Sequence, residues 1–449
     1  MSKNKLEQQI IDFFEKQFEN NPSQDFVQKI RKDAFENFKL SGLPTIRNEK
    51  WQKTKLSKFS NQYFHPSIGN IYKEQTSYID ICKVPEISSK DIVLINGNFV
   101  ADKELETLKN GIIVGSLKTA AIKYPELVQE YFHQLIKNSD NPIDYLNTAT
   151  FSDGLFLYVP KNIKKFNLQI THKLDAKADA LVNTRNLIIL EENAQINMIQ
   201  CDDSNIHRSH FATYNTEIFI KKNAKLNWYK YQNINNLSAL LSNSYYRVEE
   251  NAELYSNFIE LNGKLLRNEQ FANIRGENVK VNLYGLYLVD KTQQSDNIIH
   301  VSHSSKNSYS NQKFKGILDD SSHGFFNGQI LVKKNAQQTN AYQKNDNILL
   351  TDKAKISSQP FLEIYADDVS CSHGSTTGQI DEDALFYIRQ RGISKRDAQL
   401  LQLYAFVGEI IDTIKLQELV EPTKDLVKKR LNGELDACEE CILQCATKR

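Results

Sequence analysis

Glycine and proline are both scarce in this chain, 17 and 9 among 449 residues. Collagen-like and low-complexity organisation are therefore excluded. A fold that turns often must turn here on Asn, Asp and Lys instead. Cysteine is scarce too. Six thiols, three of them crowded at the end, make no disulfide framework, and they fit a reducing cytosol in which sulfur stays free for metal or sulfur chemistry. Neither sign of charge dominates: 56 basic residues stand against 55 acidic ones, for a formal net charge of +1. Nothing in that balance marks nucleic acid or an anionic membrane as the main partner. The basic runs Lys161–Lys165 and Lys428–Arg430 read as solvated faces.

Long apolar runs are missing as well. No stretch of about 18 apolar residues occurs, so no membrane span is expected. The opening MSKNKLEQQIIDFFEKQ is amphipathic, mixed in charge and without an apolar core of signal-peptide length. Nucleotide-binding motifs are absent: there is no G-x-x-x-x-G-K-[ST], and no G-x-G-x-x-G follows a strand. Neither G-x-S-x-G nor H-E-x-x-H is found. No catalytic residue is assigned and the chain reads as a non-enzyme; any ATP used in its work must be bound by another chain.

What is present is ordinary soluble composition, 40% hydrophobic and 25% charged, enough for one large core with flanking domains. Residues 1–145 read as a helical and mixed N-terminal domain. Leu6, Ile10, Ile11, Phe13 and Phe14 recur near helical spacing, and Phe26, Ile30, Ala34, Phe35 and Phe38 do so again. Gly42-Leu43-Pro44 ends that helix. Ile92–Ile95 reads as a strand before an Asn96-Gly97 turn, and 116–137 as helix divided at Pro125.

From 146 to 372 the pattern becomes β-rich and repeats. An Asn preceded by Lys or Glu recurs at Asn162, Asn193, Asn223, Asn251, Asn278, Asn307 and Asn335, at intervals of 31, 30, 28, 27, 29 and 28 residues. In the clearest copies an apolar residue stands three positions later: Ile196, Leu226, Leu254, Val281. A period near 28 with β-rich contents predicts a solenoid, each coil built of a few short strands stacked through parallel ladders. Asn suits the left-handed corners that such coils need. The expected fold class is mainly β: a right-handed parallel β-helix core between helical N-terminal and C-terminal domains.

Helix signals resume near Cys371, placing the C-terminal domain at 373–449. Asp381 caps a first helix, Gly392 stops it, and Ser394-x-x-Asp397 resembles a capping box for a second. Pro422 opens a third.

Cys371 and His373 form the sharpest site candidate. On a strand, residues i and i+2 face one side, so a thiolate and an imidazole project together, and both ligate iron or zinc. Two ligands leave a tetrahedral site incomplete, so a partner must supply the rest; the alternative is a buried Cys beside a hydrogen-bonded His. Cys438, Cys441 and Cys445 fall at i, i+3 and i+7, one stripe of a helix. They read either as three soft metal ligands or as an apolar docking stripe. His207 with His210, and His300 with His303, read as structural or surface residues, and Cys82 and Cys201 as packing residues. A carbohydrate-active or carbohydrate-binding β-helix protein is the alternative function, with Asp319-Asp320 and Asp367-Asp368 as its acidic residues.

FKGILDDSSHGFFNGQILV (Phe314–Val332), QKNDNILLTDKAKISSQPFLEIYADDVSCSHGSTTGQIDEDALFYIRQRGIS (Gln343–Ser394) and the following LLQLYAFVGEII resemble the SufB/SufD family of iron–sulfur cluster assembly proteins. Weaker echoes are NEKWQKTKLS (Asn48–Ser57) and LNTATFSDGLFLYVPKN (Leu146–Asn162). The CSHG form favours the SufD branch. The resemblance implies a scaffold subunit of a SufBCD-type complex that pairs with a SufB-like subunit through the β-helix. It implies docking of a SufC-like ATPase on the C-terminal helices, assigned here to Leu385, Arg389, Arg391, Leu400, Tyr404 and Val407. It also implies that Cys371 and His373 stand at the interface where a cluster is assembled. No cofactor is expected to stay on the isolated chain, an iron–sulfur cluster being held transiently in the complex; a further alternative is SufB-like behaviour, with the chain alone forming homodimers and carrying the cluster itself. Nothing in the resemblance reaches Cys438, Cys441 or Cys445.

Overall fold

The repeated asparagines mark one corner of each coil. In the computed structural model, which describes residues 3–20, 25–67, 84, 87–101, 103–205 and 207–435, Asn162, Asn193, Asn223, Asn251, Asn278 and Asn307 all have φ between 55° and 65°. This left-handed conformation disfavours most L-residues, and Asn tolerates it best after Gly. Their amides also chain the coils together: Asn193 Nδ2 donates to Asn162 Oδ1 at 2.8 Å, and Asn223 Nδ2 to Asn193 Oδ1 at 3.0 Å. Asn335 departs from this pattern. The corner residue of its coil is Gln338, three positions on, with φ 59°.

Between corners the chain runs as two long strands per coil, mostly nine to eleven residues each, where several short ones were expected. Alternate strands from Leu155–Val159 to Lys355–Ile364 form one parallel sheet, and those between, from Phe166–Leu174 to Val369–Gly378, form a second. Pairing is in register, so that Ile196, Leu226, Leu254 and Val281 stack as one row, all buried. The two sheets close over a core of Ile, Leu and Val side chains. Polar groups share that lumen. Lys230 lies 3.6 Å from Asp202 with both side chains buried, and donates to Ser242 Oγ at 2.6 Å. Burial pushes the Glu260 carboxyl up to about 7, against hydrogen bonds from Ser295, Asn297 and Asn268.

Helices cover the outer faces. α1 (Lys5–Asn20), α2 (Phe26–Ser41), α3 (Leu117–Lys123), α4 (Pro125–Tyr131) and α5 (Pro142–Thr150) lie at the N-terminal side. Asp25 caps α2 by accepting from the Gln28 N–H at 2.8 Å. Gly42 ends it at φ 65°, its N–H bonded to the Phe38 carbonyl. Leu6, Ile10, Phe14, Phe35, Phe38 and Leu146 pack on Leu181, Phe211, Leu241 and Leu265 of the first sheet. Covered on both sides, the strands Ala180–Leu190 and His210–Ile220 are buried at every residue.

α6 (Glu382–Arg389), α7 (Lys395–Ile411) and α8 (Val420–Asn432) lie at the C-terminal side. Asp381 caps α6 and Ser394 caps α7, as expected. α8 begins two residues before Pro422, after a 3-10 turn at Gln417–Leu419. Leu403, Val407, Ile410 and Ile411 of α7 meet Tyr229, Tyr255, Leu286 and Ile317 on the outer face of the second sheet. The run Lys428–Arg430 is not a solvated face throughout. Arg430 is 7% exposed and donates to the Leu261 carbonyl and to Asp290, fixing α8 to the solenoid.

The expected domain limits shift accordingly. Position 145 falls inside α5. The N-terminal region, mixed as expected, adds the strands Lys90–Ile95 and Ile113–Ser116 to the two sheets. Position 372 falls inside the last strand, which continues to Gly378. Among the described residues, no helix is long and apolar enough to cross a membrane.

Candidate functional site

Burial along the solenoid ends abruptly at its last coil. The strands Lys355–Ile364 and Val369–Gly378 contain no buried residue, and each is the terminal strand of its sheet among the described residues. The sequence explains the second of these. VSCSHGSTTG carries one branched aliphatic residue and otherwise small or polar ones, so its ladder to Thr339–Leu349 holds it with little apolar burial. Phe361, Ile364 and Tyr365 stand 54%, 39% and 60% exposed at the same end.

Cys371 and His373 lie on this last strand, paired with Ala341 and Gln343. They share its inward face, as the spacing predicted. Cys371 is half-buried against Ile330, Val332, Ala341 and Ala366. Burial pushes its thiol up, opposed by a backbone hydrogen bond at Ala341. His373 is exposed. The thiol is therefore sheltered while the imidazole faces solvent, and the next position on the same face is polar. Ser375 Oγ donates to Ser358 Oγ at 2.8 Å, Ser358 Oγ to Asn345 Oδ1 at 2.8 Å, and Asn345 Nδ2 to the Tyr287 hydroxyl at 3.0 Å. This row leads from the open lip into the lumen. Sequence reading missed it, because Ser and Asn on β-runs carry no positional signal; only the alternation downstream of Cys371 pointed inward.

Chemically the lip offers one soft and one borderline ligand beside hydroxyl and amide donors. Among the described residues, no group of three or more His, Cys, Asp or Glu side chains comes together to hold a metal ion. The pair is an incomplete ligand set. Cys438, Cys441, Cys445 and Cys82 lie outside the described residues.

The remaining expectations divide. Leu385 and Val407 are buried at 2% and 1% exposure, so they anchor the helices and are not open to a partner. Leu400 and Tyr404 are half-buried, the Tyr404 hydroxyl donating to Asn432 Oδ1 at 3.3 Å. Arg389 and Arg391 are exposed, and Arg391 donates to the Tyr387 hydroxyl at 2.5 Å. The apolar surface that α6 and α7 do present is Phe386, Tyr387 and Leu401. His300 and His303 split across the faces of one strand, bonded to Gln329 and Ser310. His210 is buried against Ser238, while His207 is exposed. Cys201 is a packing residue. Asp319 and Asp320 form a corner, where Asp320 has φ 51° and accepts from the Lys291 N–H; they build no acidic cleft.

Residues 172–406 match the SufBD core domain of the SUF system of FeS cluster assembly, and residues 4–170 match the SufBD protein N-terminal region. An iron–sulfur cluster assembly SufBD family protein of Synechocystis is 29% identical over 412 residues, 89% of this chain and 87% of that protein. The iron–sulfur cluster assembly protein SufD of Escherichia coli is 29% identical over 397 residues, 88% of this chain and 90% of that protein. A chloroplastic SufBD family protein of Arabidopsis thaliana is 23% identical over 386 residues, covering 82% and 69% of the two chains.

Proposed function

Because the chain belongs to the SufBD family of iron–sulfur cluster assembly proteins, we propose that it is a cytoplasmic, non-catalytic scaffold subunit of a SufBCD-type complex. Its place there is the one SufD holds. It pairs with a SufB-like subunit through the open end of the solenoid, where the last strand of each sheet has no further strand beside it among the described residues and Phe361, Ile364 and Tyr365 stand exposed on the same last coil as Cys371. That coincidence of an unfinished sheet end with an unfinished ligand set is the observation carrying the reading. Pairing would complete both: the partner adds strands or apolar cover and supplies the missing ligands to a nascent cluster, which is cargo and not a resident cofactor. The isolated chain, with the same end uncovered, forms homodimers.

The ATPase is a separate SufC-like subunit, docked on Phe386, Tyr387 and Leu401 with Arg389 and Arg391 beside them. α7 packs on the strands Lys280–Val289 and Tyr309–Leu318. Lys315 donates to the Phe406 carbonyl and pairs with Glu409 at 2.9 Å. A displacement of α6 and α7 on ATP-driven closure is thereby passed to coils near the open end.

Co-purification with SufB-like and SufC-like partners tests the assembly, and cluster reconstitution tests the site. Cys371→Ala with His373→Ala is expected to abolish cluster assembly and leave the complex intact. Phe386→Ala with Tyr387→Ala is expected to release the ATPase alone. Undiminished cluster assembly by the first variant would remove the site; failure to capture either partner would remove the scaffold role.

A further inference from the structure

On the side of the molecule away from the C-terminal helices, α1 and α2 approach α3 and α4 without closing on them. A cavity of about 580 Å³ remains between them, within the range of about 300–1,000 Å³ that encloses small ligands. Its walls are aromatic: Phe14, Phe18, Phe26, Phe132 and Phe151. One cation, Arg31 of α2, lies among them.

Arg31 is held in place. Its Nε donates to the Ala149 carbonyl at 3.0 Å. Its guanidinium carbon lies 5.7 Å from the centre of the Phe18 ring and 5.2 Å from that of Phe151. These contacts fix the guanidinium and use one of its five donors. Desolvation lowers its pKa to about 10, with Asp25 acting the other way, so it stays charged at neutral pH. Asp25, on the same wall, attracts it electrostatically. The nearest acid, Asp25, is engaged in capping α2. A charge in an apolar surrounding is unfavourable unless an opposite charge meets it. Here the guanidinium is half-buried and faces cavity space of ligand size, with Asp25 on the same wall. Lys118, also on the wall, is exposed.

We infer that this cavity binds a small amphipathic carboxylate, an acyl chain of medium length, with its carboxylate on Arg31 and its chain among the phenylalanine rings. The half-buried guanidinium matches one carboxylate through paired N–H donors. Occupancy would tie the α1–α2 pair to α3 and α4, so binding should also raise the melting temperature of the full chain by mass action.

Titration of the full-length chain with decanoate by calorimetry, below its micellar concentration, tests the inference. Saturable binding at one site with a rise in melting temperature is expected. Arg31→Met should weaken decanoate by about ten-fold or more, the loss of a charged hydrogen bond, and leave binding of uncharged decanol unchanged. Ala121→Trp, which fills the cavity from α3, should abolish both. Decanoate binding that survives Arg31→Met at full strength, or the absence of saturable binding to the unaltered chain, would overturn the assignment. So would pelleting with phosphatidylglycerol vesicles that decanoate does not displace, since that places a lipid surface on this face. If Arg31→Met does not fold, the Ala121→Trp arm decides: retained decanoate binding refutes the site.

Discussion

Arg430 of α8 meets Asp290, at a corner of the solenoid, with 2.7 Å between Nη1 and Oδ2. Burial raises the Asp290 carboxyl, but the hydrogen bond and charge of Arg430 outweigh it and hold the group below the usual range. The same guanidinium also donates to Gln293 Oε1 and to the Leu261 carbonyl. Arg430→Met should therefore loosen the C-terminal helices specifically, by about 1.5–3 kcal/mol per charged hydrogen bond removed. Hydrogen exchange should accelerate across α7 and α8 and stay slow in the strand Leu265–Ile274. Uniform acceleration through both regions would show instead that the helices and the coil open together.

Arg185 and Glu217 sit on neighbouring strands 2.7 Å apart, both side chains wholly buried. Glu217 also accepts from the backbone N–H groups of His133 and Leu135, so it holds the segment after α4 against the first sheet. Arg185→Met leaves that carboxylate buried and uncompensated, at an expected loss of about 3–5 kcal/mol. The double variant Arg185→Met, Glu217→Leu should recover a large part of the loss. Denaturant titration of the three proteins measures it; no recovery would mean that the backbone contacts of Glu217 matter more than the pair.

Asn223 occupies a corner at φ 58°. Asn223→Ala places a Cβ in the left-handed region without a compensating amide, at a cost of about 1–2 kcal/mol. Asn223→Gly keeps the backbone relaxed and loses only the side-chain bond to Asn193. Urea midpoints should rank Asn, Gly and Ala in falling order. Equal midpoints for Gly and Ala would deny the corner its conformational role.

Acid should unfold the solenoid through its histidines. Burial lowers His172, His210 and His303 from 6.5 to about 4. Between these values the unfolded chain binds protons that the folded chain refuses, so stability falls as pH drops from 6.5 toward 4. The slope is about 1.4 kcal/mol per pH unit for each histidine. Glu260 acts with the opposite sign. Its folded value of about 7 lies above the ordinary 4.5, so the folded chain holds the extra proton and stability falls as pH rises through that window. His303→Asn should flatten the acid limb, and Glu260→Gln should remove the decline toward neutral pH. Melting temperatures across the pH range measure both; an acid limb unchanged in His303→Asn would show that this histidine protonates without unfolding.

The corner asparagines were legible because one conformation demands one residue type at one spacing. The reading slipped at Asn335, where three extra residues move the corner to Gln338 while an Asn remains in the old register. The opposite corners were not legible, since Gly263, Lys291 and Asp320 fill them with no common chemistry. Buried charge was hidden for a related reason. Arg185, Lys230 and Arg430 look like surface residues until the elements that pair them are folded together. Cys371 and His373 were placed correctly on one face of a strand. Which side of α6 and α7 would be spent on the solenoid was not evident, because amphipathic periodicity marks an apolar stripe and not what covers it; Val407 turned inward while Phe386 stayed out.

The two ends of the solenoid are unlike. At its start the sheets finish in antiparallel strands of three residues each, Asn98–Val100 and Leu105–Thr107, too short to template another chain. At its finish they stop on ten-residue strands with no further strand beside them among the described residues. A rod with one adhesive end and one blunt end can double but cannot polymerise. Joining two such ends consumes both, and growth stops at a pair. The same asymmetry therefore limits growth through these edges to a pair, and guards an exposed β edge against forming fibres.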